Sequence, residues 1–118
     1  MNTERRTARS EDPIEAAHLY LKSAAERRRF AALALVDFDG GLVANAPSAL
    51  NSEALAAVAP FVRDGDQIND GLLSLVTRGA PYRVWDINLD GSQHYLTAVG
   101  GDPLRPDEAE TALTRIFS

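Results

Sequence analysis

Two stretches of this sequence carry oxygen ligands at spacings that chemistry uses. Leu35-Val36-Asp37-Phe38-Asp39-Gly40-Gly41-Leu42-Val43 sets two carboxylates close together at the end of an apolar run. One could serve as a nucleophile and the other as a general acid/base, or both could hold a divalent ion. Asp86-Ile87-Asn88-Leu89-Asp90-Gly91-Ser92 places side-chain oxygens at alternate positions before a glycine, a donor set suited to a hard cation. His18 and His94 are the histidines, and Tyr82, Trp85 and Tyr95 are aromatics that could line a ligand pocket.

Each pattern stops short of its chemistry. The first stretch resembles the opening motif of the haloacid-dehalogenase phosphatases, where a strand delivers two Asp residues ahead of Gly-Thr-Leu. Here Gly41 replaces the Thr, and Lys22, the lone lysine, lies upstream of the motif although that chemistry needs a later one. Too few residues follow to complete a doubly wound sheet. The second stretch matches the start of an EF-hand loop, but its twelfth position is Thr97 in place of a bidentate Glu, and both flanks read as strands. Neither histidine has another ligand at metal spacing. No Gly-x-Ser-x-Gly elbow singles out a serine. Gly100-Gly101 ends in Asp102-Pro103, which puts a carboxylate where a bound anion would sit. The sequence therefore assigns no catalytic, cofactor-binding or metal-ligating residue and implies no cofactor. Asp39, Gly40 and Gly41, and likewise Asp90 with Gly91, are read as structural turns.

The elements around these turns follow from periodicity. Asp12-Pro13-Ile14-Glu15 combines an N-cap, a proline at the first helical position and a third-position Glu, so a helix is expected over about 13–28. Ala31 to Val36 is apolar without alternation, as in a strand covered on both faces, and a hairpin through Gly40 or Gly41 leads into Leu42-Val43-Ala44. Asn51 or Ser52 caps a second helix bearing Leu55, Val58, Ala59 and Val62, and Pro60 predicts a kink or an end near Ala59. Asp64-Gly65-Asp66 signals a loop; Ile68, Leu72, Leu75 and Val76 then suit a helix or a short strand. Tyr82 to Leu89 and Ser92 to Val99 flank Asp90-Gly91, a hairpin whose two-residue turn pairs Trp85 with Leu96, Ile87 with His94, Asp86 with Tyr95 and Val84 with Thr97. Gly100, Gly101 and Pro103 end that strand, and Pro106 opens a last helix with Ala109, Ala112, Leu113, Ile116 and Phe117 on one stripe.

Composition narrows the classes. A chain of 118 residues, 45% hydrophobic and 25% charged, is expected to fold as one domain over 12–118, preceded by a flexible basic arm at 1–11. It contains no cysteine, which excludes disulfides, thiolate metal sites and Cys nucleophiles. No apolar run is long enough to span a membrane and no apolar signal core opens the chain, so a cytoplasmic location without membrane insertion is expected. The net charge of −5 hides Arg5, Arg6 and Arg9 in the first ten residues, against Glu4; the rest is more acidic still. Such a body repels phosphates, so no nucleic-acid partner is expected.

The order helix, hairpin, helical region, hairpin, helix implies an α/β (α+β) fold: an antiparallel sheet of about five strands built from two hairpins, with helices on both faces. Together with the turn Val36-Asp37-Phe38-Asp39-Gly40-Gly41-Leu42-Val43, this order resembles the roadblock/dynein light chain family, from about Pro13 to Phe117. The resemblance implies a roadblock/longin/profilin-like fold and a homodimer or heterodimer formed through sheet and helix contacts. For a bacterial member it implies binding to a Ras-like small GTPase in signalling, and it brings no catalytic set. The family has three strands after its second helix, so either Leu72 to Thr77 is the third or this is a shortened variant. The function expected is that of a non-catalytic, dimeric adaptor or small-GTPase regulator. Two alternatives stand beside it: a PAS- or GAF-like small-molecule sensor using Tyr82, Trp85 and Tyr95, and a Mg-dependent phosphatase-like enzyme using Asp37 and Asp39.

Overall fold

The computed structural model describes residues 12–64, 70–102 and 104–118. Helix α1 spans Pro13–Arg28, and the Asp12 carboxylate caps it by accepting from the Glu15 amide at 3.0 Å. Its far end closes on Arg29 in the left-handed region (φ 61°), with the Phe30 amide returning to the Ala25 carbonyl. Ala17, Leu21, Ala24 and Ala25 face inward at helical spacing. Strands β1 (Ala32–Asp37) and β2 (Leu42–Asn45) follow as the first hairpin. Helix α2 (Ser52–Arg63) is capped by Asn51, whose side chain accepts from the Ala54 amide. Then come α3 (Asp70–Thr77), β3 (Tyr82–Leu89), β4 (Ser92–Val99) and α4 (Glu108–Phe117).

The strands form one antiparallel sheet in the order β2-β1-β4-β3. The pairs Trp85–Leu96, Ile87–His94, Asp86–Tyr95 and Val84–Thr97 stand in the register that the Asp90-Gly91 turn dictates. Because side chains alternate across a strand, the sheet has two distinct faces. On one, Leu33, Leu35, Ile87 and Leu96 pack against Leu21 of α1 and Leu113 of α4. On the other, Ala34, Val36 and Tyr95 meet Ala56 and Ala59 of α2, and beside them Ala32 and Val99 meet Leu55. β1 is covered on both sides, which is why its sequence shows no alternation. Each fully buried leucine here adds about 1.5–3 kcal/mol of transfer free energy.

Three expectations need correction. The sheet has four strands, not about five, because 70–77 is helix α3. Leu75 and Val76 sit at helical spacing from Leu72, and the segment ends in a helix-closing turn: Arg78 (φ 54°) and Gly79 (φ 81°) are left-handed, and the Gly79 amide reaches the Ser74 carbonyl at 3.0 Å. α2 does not end near Ala59 but continues through Pro60 to Arg63. The proline forfeits one internal bond, while Leu55, Ala56 and Ala59 anchor the helix on the sheet and the Asp64 amide still returns to the Pro60 carbonyl. The last helix begins at Glu108, with Pro106 buried just ahead of it and its carbonyl accepting from the Ala109 amide. The arm at 1–11, the loop residues Gly65 and Asp66, Ile68 and Pro103 lie outside the described residues.

Candidate functional site

Asp37 is committed to its own turn. Its Oδ1 accepts from the amides of Asp39 at 2.9 Å and Gly41 at 2.8 Å, while the Gly40 amide donates to the Asp37 carbonyl at 3.0 Å. Gly40 supplies the positive φ of 93°, and a Cβ at Gly41 would lie 2.6 Å from Asp37 Oδ2. A carboxylate tied to two backbone amides organises a loop and is poorly placed to attack a substrate.

The second oxygen-rich stretch is also internally satisfied. The Arg63 guanidinium takes both oxygens of Asp86, and Asn88 Oδ1 accepts from the Gly91 amide at 2.7 Å. Asp90 (φ 55°) and Gly91 (φ 87°) form the turn. Hydrogen bonds from Arg63 hold the Asp86 carboxyl below the ordinary carboxylate range, against a smaller opposing effect of burial. Among the described residues no group of three or more His, Cys, Asp or Glu could hold a metal ion.

The histidines and aromatics are spread over the fold. His18 Nδ1 sits against the backbone of Asn45, and His94 Nδ1 against the Ser92 carbonyl. Tyr82 donates its hydroxyl to the Leu55 carbonyl at 2.5 Å, and burial pushes its pKa above the ordinary phenol range. Trp85 packs on the α1/α4 face, its ring 6.4 Å from that of Phe30 and tilted by 48°. Tyr82 and Tyr95 lie on the α2 face, so the sheet separates them from Trp85 and the three line no common pocket. A cleft of about 240 Å³ borders Tyr82 together with Leu73, Thr77 and Pro81, and neither of the other two aromatics reaches it. Gly101 serves packing: a Cβ there would come within 2.6 Å of the Arg28 carbonyl and of the Phe30 ring.

The feature that sequence periodicity missed is the outer side of α2. The inner stripe is Ser52, Leu55, Ala56 and Ala59, rather than the Leu55, Val58, Ala59 and Val62 that spacing suggested. Val58 and Val62 are only partly covered, Ala57 is exposed, and Phe61 is 54% exposed. Phe38, 60% exposed, tips the hairpin whose Gly40 lies against the backbone of Ala56 and Ala57. Between Glu53 and Arg63 the helix carries no charged residue. A helix apolar all round belongs in an interior or an interface, and the available signal was that absence of a polar face.

No helix among the described residues is long and apolar enough to cross a membrane. No protein-family model matches the sequence, and no curated protein matches it. Solved structures do. Myxococcus xanthus MglB superposes with a TM-score of 0.59 at 17% identity, covering 88% of this chain and 89% of that one. The gliding protein MglB from Thermus thermophilus superposes with a TM-score of 0.57 at 18% identity, covering 88% and 90%. The chain has the roadblock/longin fold of these proteins.

Proposed function

We propose that this protein is a non-catalytic, dimeric interaction domain that regulates or adapts a Ras-like small GTPase in the cytoplasm. The working unit is 12–118, with 1–11 as an appended basic arm, and no cofactor takes part. The observation that carries the reading is α2, apolar on its outer as well as its inner side on a chain with the MglB fold. The acidic net charge argues against nucleic acid as the partner.

Light scattering on the eluting full chain, followed by pull-down against the Ras-like GTPases of its host in both nucleotide states, tests this. A dimer that retains one of them is expected. A strict monomer that retains none defeats the proposal.

A further inference from the structure

Both outer edges of the sheet meet side chains from one face: His18 of α1 on β2, and on β3 residues of α4 together with Arg105 of the segment just ahead of it. On β2, His18 of α1 places its Nδ1 2.6 Å from the Asn45 carbonyl and 3.2 Å from the Asn45 amide. On β3 the two-residue turn makes Leu89 and Ser92 the closing pair, and the Gly100 amide donates to the Pro81 carbonyl at the other end. That parity turns the amides and carbonyls of Tyr82, Val84, Asp86 and Asn88 away from β4. Arg105 Nη2 donates to the Asp86 carbonyl at 3.0 Å, Glu110 accepts from the Asn88 amide at 2.7 Å, and the Thr114 hydroxyl donates to the Asn88 carbonyl at 3.4 Å. Arg105 is itself held between Asp107 at 3.0 Å and Glu110 at 3.7 Å.

An open row of backbone donors and acceptors is a template for another strand. A strand arriving along β3 would have to displace these bonds, two of them made by ionised groups. Without displacing them it would find only the outward positions of Tyr82 and Val84, too short a ladder to hold. We propose that α1, α4 and Arg105 just ahead of α4 act as edge guards that close the sheet to strand addition, so that a second copy docks on α2 and no continuous sheet joins the copies. The roadblock resemblance implies sheet contacts between copies; in this chain Asp86 and Asn88 on β3, and Asn45 on β2, already bond to side chains. Where the second copy sits rests on the proposed function, whereas the guard does not.

Hydrogen exchange on the full chain, together with sedimentation, tests the guard. The Asn88 amide is expected to exchange about tenfold or more slowly than that of Val84, and Glu110→Ala should abolish that difference while β1 amides keep theirs. The combined variant Arg105→Ala, Glu110→Ala, Thr114→Val should gain concentration-dependent association that Val84→Pro suppresses. Equal exchange at Asn88 and Val84 in the natural sequence overturns the proposal, as does a natural assembly that Val84→Pro dissolves. A chain that stays monomeric with Asn88 protected supports the guard and removes the α2 dimer, so the two failures are distinct.

Discussion

Arg63 grips Asp86 in a two-point pair, Nε to Oδ1 at 2.5 Å and Nη2 to Oδ2 at 2.6 Å, and so ties the last turn of α2 to β3. Both side chains are 45% exposed, which leaves the pair open to screening by water and salt. Because the folded state depresses the Asp86 pKa, the pair's contribution is present above the unfolded-state value of about 4 and is lost as pH falls through the lower folded-state value. Asp86→Asn should therefore melt below the natural protein at neutral pH, by less in high salt, and the gap should close in acid. Thermal melts across pH check this, and a gap that persists in acid contradicts it.

The glycines give a graded series. Gly101 at φ 68° faces backbone and ring atoms within 2.6 Å, Gly41 faces the movable Asp37 carboxylate at 2.6 Å, and Gly91 at φ 87° has open space. Replacement by Ala should cost most at Gly101, on the order of 3 kcal/mol or more, where clash adds to strain. At Gly91 only the left-handed backbone is paid for, about 1 kcal/mol. Gly41 should fall between, since turning the carboxylate aside breaks its bonds to the amides of Asp39 and Gly41. Urea unfolding gives the order, and Gly91→Ala costing more than Gly101→Ala would contradict it.

Asp37 should prove a turn residue when its charge is removed. Asp37→Asn keeps an oxygen for the two amides and should unfold close to the natural protein, whereas Asp37→Ala should lose about 1–2 kcal/mol. Neither variant should alter turnover of a phosphate monoester with Mg²⁺. Metal-dependent hydrolysis that Asp37→Asn abolishes would restore the phosphatase reading.

On α2, Phe61→Glu puts a charge on the proposed contact face without touching the inner stripe. The dimer dissociation constant should rise about tenfold or more, or roughly 1.4 kcal/mol, with little change in dilute-solution stability. Leu75→Glu on α3, at a residue 75% exposed, is the matched control and should leave self-association intact. Sedimentation at several concentrations reads both.

How much of this was legible differs by element. The β3–β4 register followed from Asp90-Gly91, because a two-residue turn leaves the pairing no freedom. α1 was readable to its ends because Asp12, Pro13 and Glu15 are local signals. Pro60 does not end α2, because the packing of Leu55, Ala56 and Ala59 on the sheet outweighs one lost bond, and that packing is not local. The apolar run near Leu75 admitted either period until the Arg78-Gly79 turn closed it as a helix. The outer face of α2 escaped because alanines satisfy both a buried and an exposed stripe, so spacing alone could not choose the side. The edge contacts of Glu110 and Thr114 with Asn88 join residues far apart in sequence and could not be read from it at all.

Trp85 is the only tryptophan in the chain, and it sits beside Phe30 with the whole sheet between it and α2. Nature has thus built in a fluorophore that watches one half of the molecule. Its emission should follow loosening of the α1/α4 layer during denaturation and stay nearly silent when a partner settles on the opposite side. Folding and docking can then be recorded in one cuvette as separate signals, with no label attached.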